Sequence, residues 1–234
     1  MTCQAELKER GMRFELQLSA GPWSTRDGFV RVLPHEMGSI YIIDQLFEPD
    51  FVKGLHAVCK RLAYIANDID TEAYKHIRHW KCELPAQTLM EGDIKNRNLL
   101  DILPKQIGAG ALSMVARIIN AAMNECYTGY KEISINRVHV NCLPYGDLLN
   151  THQDGEVDLT LTGLYFANAE WQASWHGELV LSDVLGESLY AIEPRPGRIV
   201  LFPGEIPHRA GVPSRACYEH RFSIGHKFDA VRQK

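Results

Sequence analysis

Residues 198–228 read RIVLFPGEIPHRAGVPSRACYEHRFSIGHKF, and their pattern decides the fold. Arg198–Phe202 is an apolar run rich in β-branched side chains, closed by the turn pair Pro203-Gly204. Ile206–Ala210 and the long run Tyr218–Phe228 then read as two further strands. Outward from this stretch, Ser134–Leu143, Leu148–His152, Leu159–Ala167, Gly177–Leu181 and Leu189–Glu193 complete eight candidate strands. Turn chemistry separates them at Pro144-Tyr-Gly146, Asp154-Gly155 and Pro194-Arg-Pro-Gly197. Eight short strands in about 95 residues exclude a doubly wound parallel sheet and predict a β-sandwich or jelly roll.

Upstream, Gly38–Leu46 (GSIYIIDQL) reads as a strand, and Pro49 stands where a first helical residue belongs. Phe51, Leu55, Val58 and Leu62 follow at helical spacing, giving one amphipathic face. A second helix is predicted from about Lys105 to Cys126, with Leu112, Val115, Ile119 and Ala122 as its stripe and Met123 alongside. Between them lies His76, His79, Trp80 and Lys81, read as a strand near 76–82 followed by loop; residues 1–40 show no clear period. The expected architecture is one domain over 1–234. It is mainly β with buttressing helices, a jelly roll at 133–228 on a supporting region at 1–132.

Composition narrows the function classes. The chain has 234 residues, 45% of them apolar and 23% charged, with a formal charge of −4, which is ordinary for a globular protein and excludes disorder, collagen and coiled coil. There is no basic stripe with interleaved aromatics for nucleic acid and no apolar run long enough to span a membrane. The charged N-terminus lacks the apolar stretch of a signal peptide. The six cysteines stand singly, with no C-x-x-C pair, so a reducing cytoplasmic setting is expected.

Walker, Rossmann, HExxH, GxSxG and EF-hand patterns are absent. What remains is His152-Gln-Asp154 at the end of a predicted strand, with His208 on a later one. In extended chain, residues i and i+2 point to one side, so His152 and Asp154 can reach one ion and His208 can close its face. Two imidazoles and a carboxylate with open positions is the donor set of non-haem Fe(II) oxygenases. His176-Gly-Glu178 offers a competing pair, disfavoured because it precedes a strand as solvated loop rather than leaning over a cavity. On the final strand Arg221, Ser223, Gly225 and Lys227 share one face, and Phe222, Ile224, His226 and Phe228 share the other. An arginine pointing into a barrel is costly unless a carboxylate meets it, from the protein or from a dicarboxylic cosubstrate.

Several blocks in this order resemble the Fe(II)/2-oxoglutarate-dependent oxygenases, in the branch similar to prolyl 4-hydroxylases. They are Tyr145-Gly-Asp-Leu-Leu-Asn-Thr-His-Gln-Asp154, Leu164-Tyr-Phe-Ala-Asn168, Trp175-His-Gly-Glu-Leu-Val-Leu181, Pro196-Gly-Arg-Ile-Val-Leu-Phe202, Ile206-Pro-His208 and Arg221-Phe-Ser223. The resemblance implies a cupin-like double-stranded β-helix with iron held by His152, Asp154 and His208. It implies 2-oxoglutarate chelating the iron, with its far carboxylate on Arg221, helped by Ser223, and O₂ as the second cosubstrate. Tyr145 stands where a tyrosine often reaches the cosubstrate. Arg221 lies 13 residues after His208, further than is usual, so Arg215 and Lys227 stay as rivals.

The implied activity is hydroxylation of an unactivated C–H bond, with release of succinate and CO₂. A small molecule or amino-acid derivative is the favoured substrate over a protein. Desaturation, epoxidation or cyclisation uses the same ligands. Halogenation is disfavoured because Asp154 occupies the position a halide needs, and a cupin-like binding module is the reading from a different class.

Overall fold

The computed structural model describes residues 12–14, 28–68, 78–91, 108–147, 149–155 and 159–233. Its twelve strands are β1 (Met12–Phe14), β2 (Gly28–Leu33), β3 (Ile40–Asp44), β4 (Ile65–Asp68), β5 (Arg78–Leu84), β6 (Tyr130–Leu143), β7 (Thr160–Phe166), β8 (Leu179–Ser182), β9 (Ser188–Ile192), β10 (Ile199–Pro203), β11 (His208–Ala210) and β12 (Arg221–Arg232). Three helices accompany them: α1 (Pro49–Cys59), α2 (Ala86–Glu91) and α3 (Gly108–Cys126). The strands form a nine-stranded antiparallel sheet, β1-β2-β3-β10-β7-β12-β6-β5-β4, facing a three-stranded sheet, β11-β8-β9. This is the double-stranded β-helix expected, with helices on one side.

Alternation along each central strand sorts side chains between two cores. Ile43 on β3, Tyr165 on β7, Ile199 and Leu201 on β10, and Phe222, Ile224 and Phe228 on β12 face the helices. They meet Phe51, Leu55 and Val58 of α1 and Leu112, Val115 and Ile119 of α3. Their neighbours Ile40, Ile42, Leu164, Phe166, Val200 and Phe202 turn to the other side and meet Leu179, Leu181 and Ile192 of the small sheet. The period of two in the strands and of 3.6 in the helices therefore builds a three-layer stack. Gly163 allows α3 to sit close on the sheet: a Cβ there would come within 2.6 Å of Ile119 Cγ2.

Two expectations need correcting. Leu148–His152 is not a strand: Leu148 lies outside the described residues, and His152 makes only an isolated bridge to His208. Residues after 82 are not simply loop, because β5 runs to Leu84 and α2 follows. Six residues are too few for a readable helical period, and packing on α3 sustains the turn, with Ser113 Oγ donating to the Leu89 carbonyl. The supporting region also contributes strands to the large sheet, where β2 and β3 extend it beside β10. The structure ties that junction with Arg198, whose guanidinium donates to both Asp44 carboxylate oxygens at 2.7 and 2.8 Å and to the Glu193 carbonyl at 2.9 Å. Among the described residues no helix is long and apolar enough to cross a membrane.

Candidate metal and cosubstrate site

The inward face of the large sheet changes character along its width. On β3, β10 and β7 it is apolar, as above. On β12 and β6 it is polar: Arg221, Ser223, Gly225 and Lys227 pair across the ladder with Leu143, Asn141, His139 and Arg137. On β5, Lys81 and Glu83 pair with Asn141 and His139 and so share that face. A polar sheet face requires partners, and the segment carrying His152 and Asp154 supplies some of them.

Two backbone hydrogen bonds between His152 and His208, at 3.0 and 2.9 Å, zip that segment to β11, and the Asp154 amide donates to the Gly204 carbonyl at 2.7 Å. The result places His152 Nε2 3.5 Å from Asp154 Oδ1 and His208 Nε2 3.2 Å from Asp154 Oδ2. Among the described residues these three form a group whose donor atoms all lie within 4.8 Å of one another. Both imidazoles are oriented from behind. His152 Nδ1 donates to the Asn150 carbonyl and His208 Nδ1 to the Ile206 carbonyl, each at 2.8 Å. A carbonyl oxygen only accepts, so the proton sits on Nδ1 and the Nε2 lone pair faces the centre, as metal-binding histidines require. Burial holds the His208 pKa below its usual value, which keeps the ring neutral.

Burial alone would raise the Asp154 pKa. The Lys227 ammonium beside it outweighs this and holds the carboxyl far below the usual carboxylate range. Thr162 Oγ1 donates to Asp154 Oδ2 at 2.6 Å, and Lys227 Nζ donates to the same oxygen. This donor set suits a divalent first-row metal and leaves room for further ligands.

At the other end of β12 Arg221 is 1% exposed. Its Nε donates to the Gly177 carbonyl at 2.6 Å and its Nη1 approaches Ser223 Oγ at 3.3 Å, with the Phe166 ring 5.1 Å away. The contrast with Arg198 is instructive. Both guanidiniums are buried, but Arg198 meets a carboxylate bidentately, whereas among the described residues Arg221 has no carboxylate within ion-pair distance. Glu178 acts on it only at longer range, and burial lowers its pKa to about 10. A buried guanidinium in this state favours an incoming carboxylate.

The remaining sequence candidates separate clearly. Tyr145 lies on the turn after β6 with 56% of its surface exposed, outside the buried contacts of Arg221. Arg215 is exposed in the loop before β12, and His176 is exposed beside Gly177, so neither joins the cluster. Of the group at 76–81, His76 and the side chain of His79 lie outside the described residues, Trp80 is 38% exposed, and Lys81 joins the polar wall. Lys227 reaches the triad itself rather than the far end of the barrel. Sequence reading missed Glu83 and Arg137, whose signal is the cross-strand register, which alternation alone does not supply.

Residues 138–227, which carry the His-Asp-His group, Arg221, Ser223 and Lys227, match the family model of the 2OG-Fe(II) oxygenase superfamily. Over that stretch the chain is similar to the 2OG-Fe(II) oxygenases. No curated protein sequence matches the chain. Among solved structures, it is similar to a prolyl-4-hydroxylase of Pseudomonas putida (19% identity, TM-score 0.57, covering 83% of this chain and 92% of that one). A prolyl hydroxylase of Trichoplax adhaerens, solved with a hypoxia inducible factor peptide fragment, is also similar (17%, TM-score 0.56, 81% and 83%). So is the viral collagen prolyl hydroxylase of Paramecium Bursaria Chlorella virus-1 (12%, TM-score 0.52, 82% and 96%). At these identities the likeness shows the shared fold. An oxygenase domain of this superfamily works with Fe(II), 2-oxoglutarate and O₂, and the His-Asp-His group fits the metal.

Proposed function

We propose that this oxygenase hydroxylates an unactivated C–H bond, with His152, Asp154 and His208 as the iron ligands and Arg221 and Ser223 as the anchor for the far carboxylate of 2-oxoglutarate. The observation that carries the reading is the convergence of two Nδ1-tethered imidazoles and one ionised carboxylate within 4.8 Å. Iron held there would activate O₂, one atom of which enters succinate as 2-oxoglutarate loses CO₂ while the other enters the substrate C–H bond.

The chain's own residues do the rest. The carbonyls of Asn150 and Ile206 orient the rings, Thr162 orients the Asp154 carboxylate, and Phe202 packs edge-on against the His208 ring with centroids 4.9 Å apart. Arg221, held by Gly177 and Ser223, presents its remaining donors to a carboxylate inside a dry barrel, where such hydrogen bonds are strong. A small molecule or amino-acid derivative is the favoured substrate. The second reading, hydroxylation of a prolyl residue in a peptide, draws on the three prolyl hydroxylases that share this fold.

The test is Fe(II)- and 2-oxoglutarate-dependent succinate release by the purified protein with free amino acids, other small acids and proline-containing peptides. Succinate formation that vanishes in Asp154→Ala supports the assignment. Equal turnover in that variant contradicts it.

A further inference from the structure

The polar wall beside the triad contains an arrangement that fold stability alone does not favour. Lys227 on β12 and Arg137 on β6 are direct cross-strand partners, two cations on the same inward face. Like charges placed directly opposite destabilise a sheet. Lys81 brings a third cation to the wall. Against these stand two carboxylates. Glu83 accepts from Arg137 Nε at 3.1 Å and from Arg137 Nη2, and lies 3.2 Å from Lys81 Nζ. Asp154 accepts from Lys227, but Asp154 is also the carboxylate of the metal group. Counting Asp154 with the metal leaves, among the described residues, Glu83 as the carboxylate of this wall, and it touches Arg137 and Lys81 but not Lys227.

These cations are also reachable from solvent. The side chains of Arg137 and Lys227 are 45% and 19% exposed, whereas Arg221 is 1% exposed at the far end of the same strand. Lys227 touches Asp154 itself, too near the metal group to receive the far carboxylate of 2-oxoglutarate chelated through its keto acid end. Between Lys227 and Arg221 on the inward face lie only Ser223 and Gly225, and Gly225 is overlain by the His139 ring, whose Cε1 would lie 2.7 Å from an added Cβ. Two separate cationic positions therefore lie along one strand, one buried and one open.

We propose that Lys227 and Arg137, with Lys81 behind them, form a subsite for an anionic group of the substrate, a carboxylate or a phosphate. The substrate class is then a small acid, held so that its C–H bond lies beside the His-Asp-His group. The inference rests on the oxygenase reading above and narrows it. A neutral, end-protected prolyl peptide has no anionic group to offer these cations.

The experiment loads the protein with Mn(II) and 2-oxoglutarate and titrates it with acetate, inorganic phosphate or chloride at fixed ionic strength, following the thermal transition. A parallel arm measures succinate release by the Fe(II)-loaded enzyme with free L-amino acids and with their carboxamides. Acetate or phosphate is expected to raise the transition above chloride. Its apparent affinity should fall about tenfold or more in Arg137→Gln and in Lys227→Met, since a hydrogen bond to a charged group is lost. Arg137→Lys should recover part of the loss. Which anion protects identifies the head group, and acids should stimulate succinate release where their amides do not.

The inference is overturned if acetate and phosphate act no differently from chloride, if both variants bind them as the parent does, or if amides stimulate as well as acids. Weakened 2-oxoglutarate binding in Lys227→Met but not in Arg221→Ala would assign Lys227 to the cosubstrate, overturning the subsite while leaving the oxygenase reading intact. Failure of the Mn(II)-loaded protein to bind 2-oxoglutarate at all would remove the oxygenase reading, and the subsite with it.

Discussion

Buried titratable residues do two different jobs in this molecule. Asp154 and His208 belong to the proposed metal group, and replacing either with Ala should abolish 2-oxoglutarate turnover while the circular dichroism spectrum stays unchanged, because neither side chain fills an apolar core. His176→Ala and Glu178→Ala, which change the competing pair, should retain turnover, since His176 is exposed outside the group. His226 has no such role. It faces the helices on β12, fully buried, with Nδ1 3.3 Å from the Gly163 carbonyl and Nε2 without a hydrogen-bond partner. Burial lowers its pKa to about 4. The unfolded chain protonates this ring near pH 6.5 and the folded protein does so only near 4, so between those values the unfolded state holds more protons. Stability should therefore fall as pH drops through that window, by about 3 kcal/mol from this group. Urea melts of the parent and His226→Leu at stepped pH check this. The parent should lose stability relative to His226→Leu from pH 7 to pH 4, and a constant difference would refute it.

Elements show where sequence pattern is sufficient and where it is not. Alternation placed Arg221, Ser223, Gly225 and Lys227 on one face of β12 and Phe222, Ile224 and Phe228 on the other, and the structure has them so. Helical spacing located α1 and α3 for the same reason: each buries a single stripe. The segment carrying His152 defeated the strand reading because its only ladder contact is one bridge to β11. β2 escaped notice because its sequence, GFVRVL, sits among charged, aperiodic residues and is stabilised by pairing with β3 rather than by its own pattern. Helix-to-sheet distance is likewise set by contact. Gly163→Ala would drive a methyl into Ile119, with Leu201 Cδ2 also at 3.3 Å. It should cost about 1–3 kcal/mol of stability, as overpacking of a filled core does. Thermal denaturation checks it, and an unchanged or raised midpoint would show that α3 moves freely.

On the scale of the whole molecule, strands from both halves of the chain share one sheet, and Arg198 with Asp44 joins them at the β3–β10 boundary. Asp44→Ala would strand a buried guanidinium and should cost about 3 kcal/mol or more, measurable by denaturant unfolding. The same reasoning defines the site. The jelly roll, the clustering of His152, Asp154 and His208, and the inward placing of Arg221 were legible in the sequence because ordered blocks and one alternating strand carry them. The Lys81–Glu83–Arg137–Lys227 wall was not, because its members come from three strands whose register only the folded sheet creates. The central claim is that one strand anchors the cosubstrate at Arg221 and serves the metal group at its other end. Calorimetric titration of 2-oxoglutarate into Mn(II)-loaded parent and Arg221→Ala protein tests it most directly. The account predicts 2-oxoglutarate affinity weakened roughly 10–1,000-fold with Mn(II) affinity nearly unchanged. Parent-like 2-oxoglutarate binding by Arg221→Ala would contradict it.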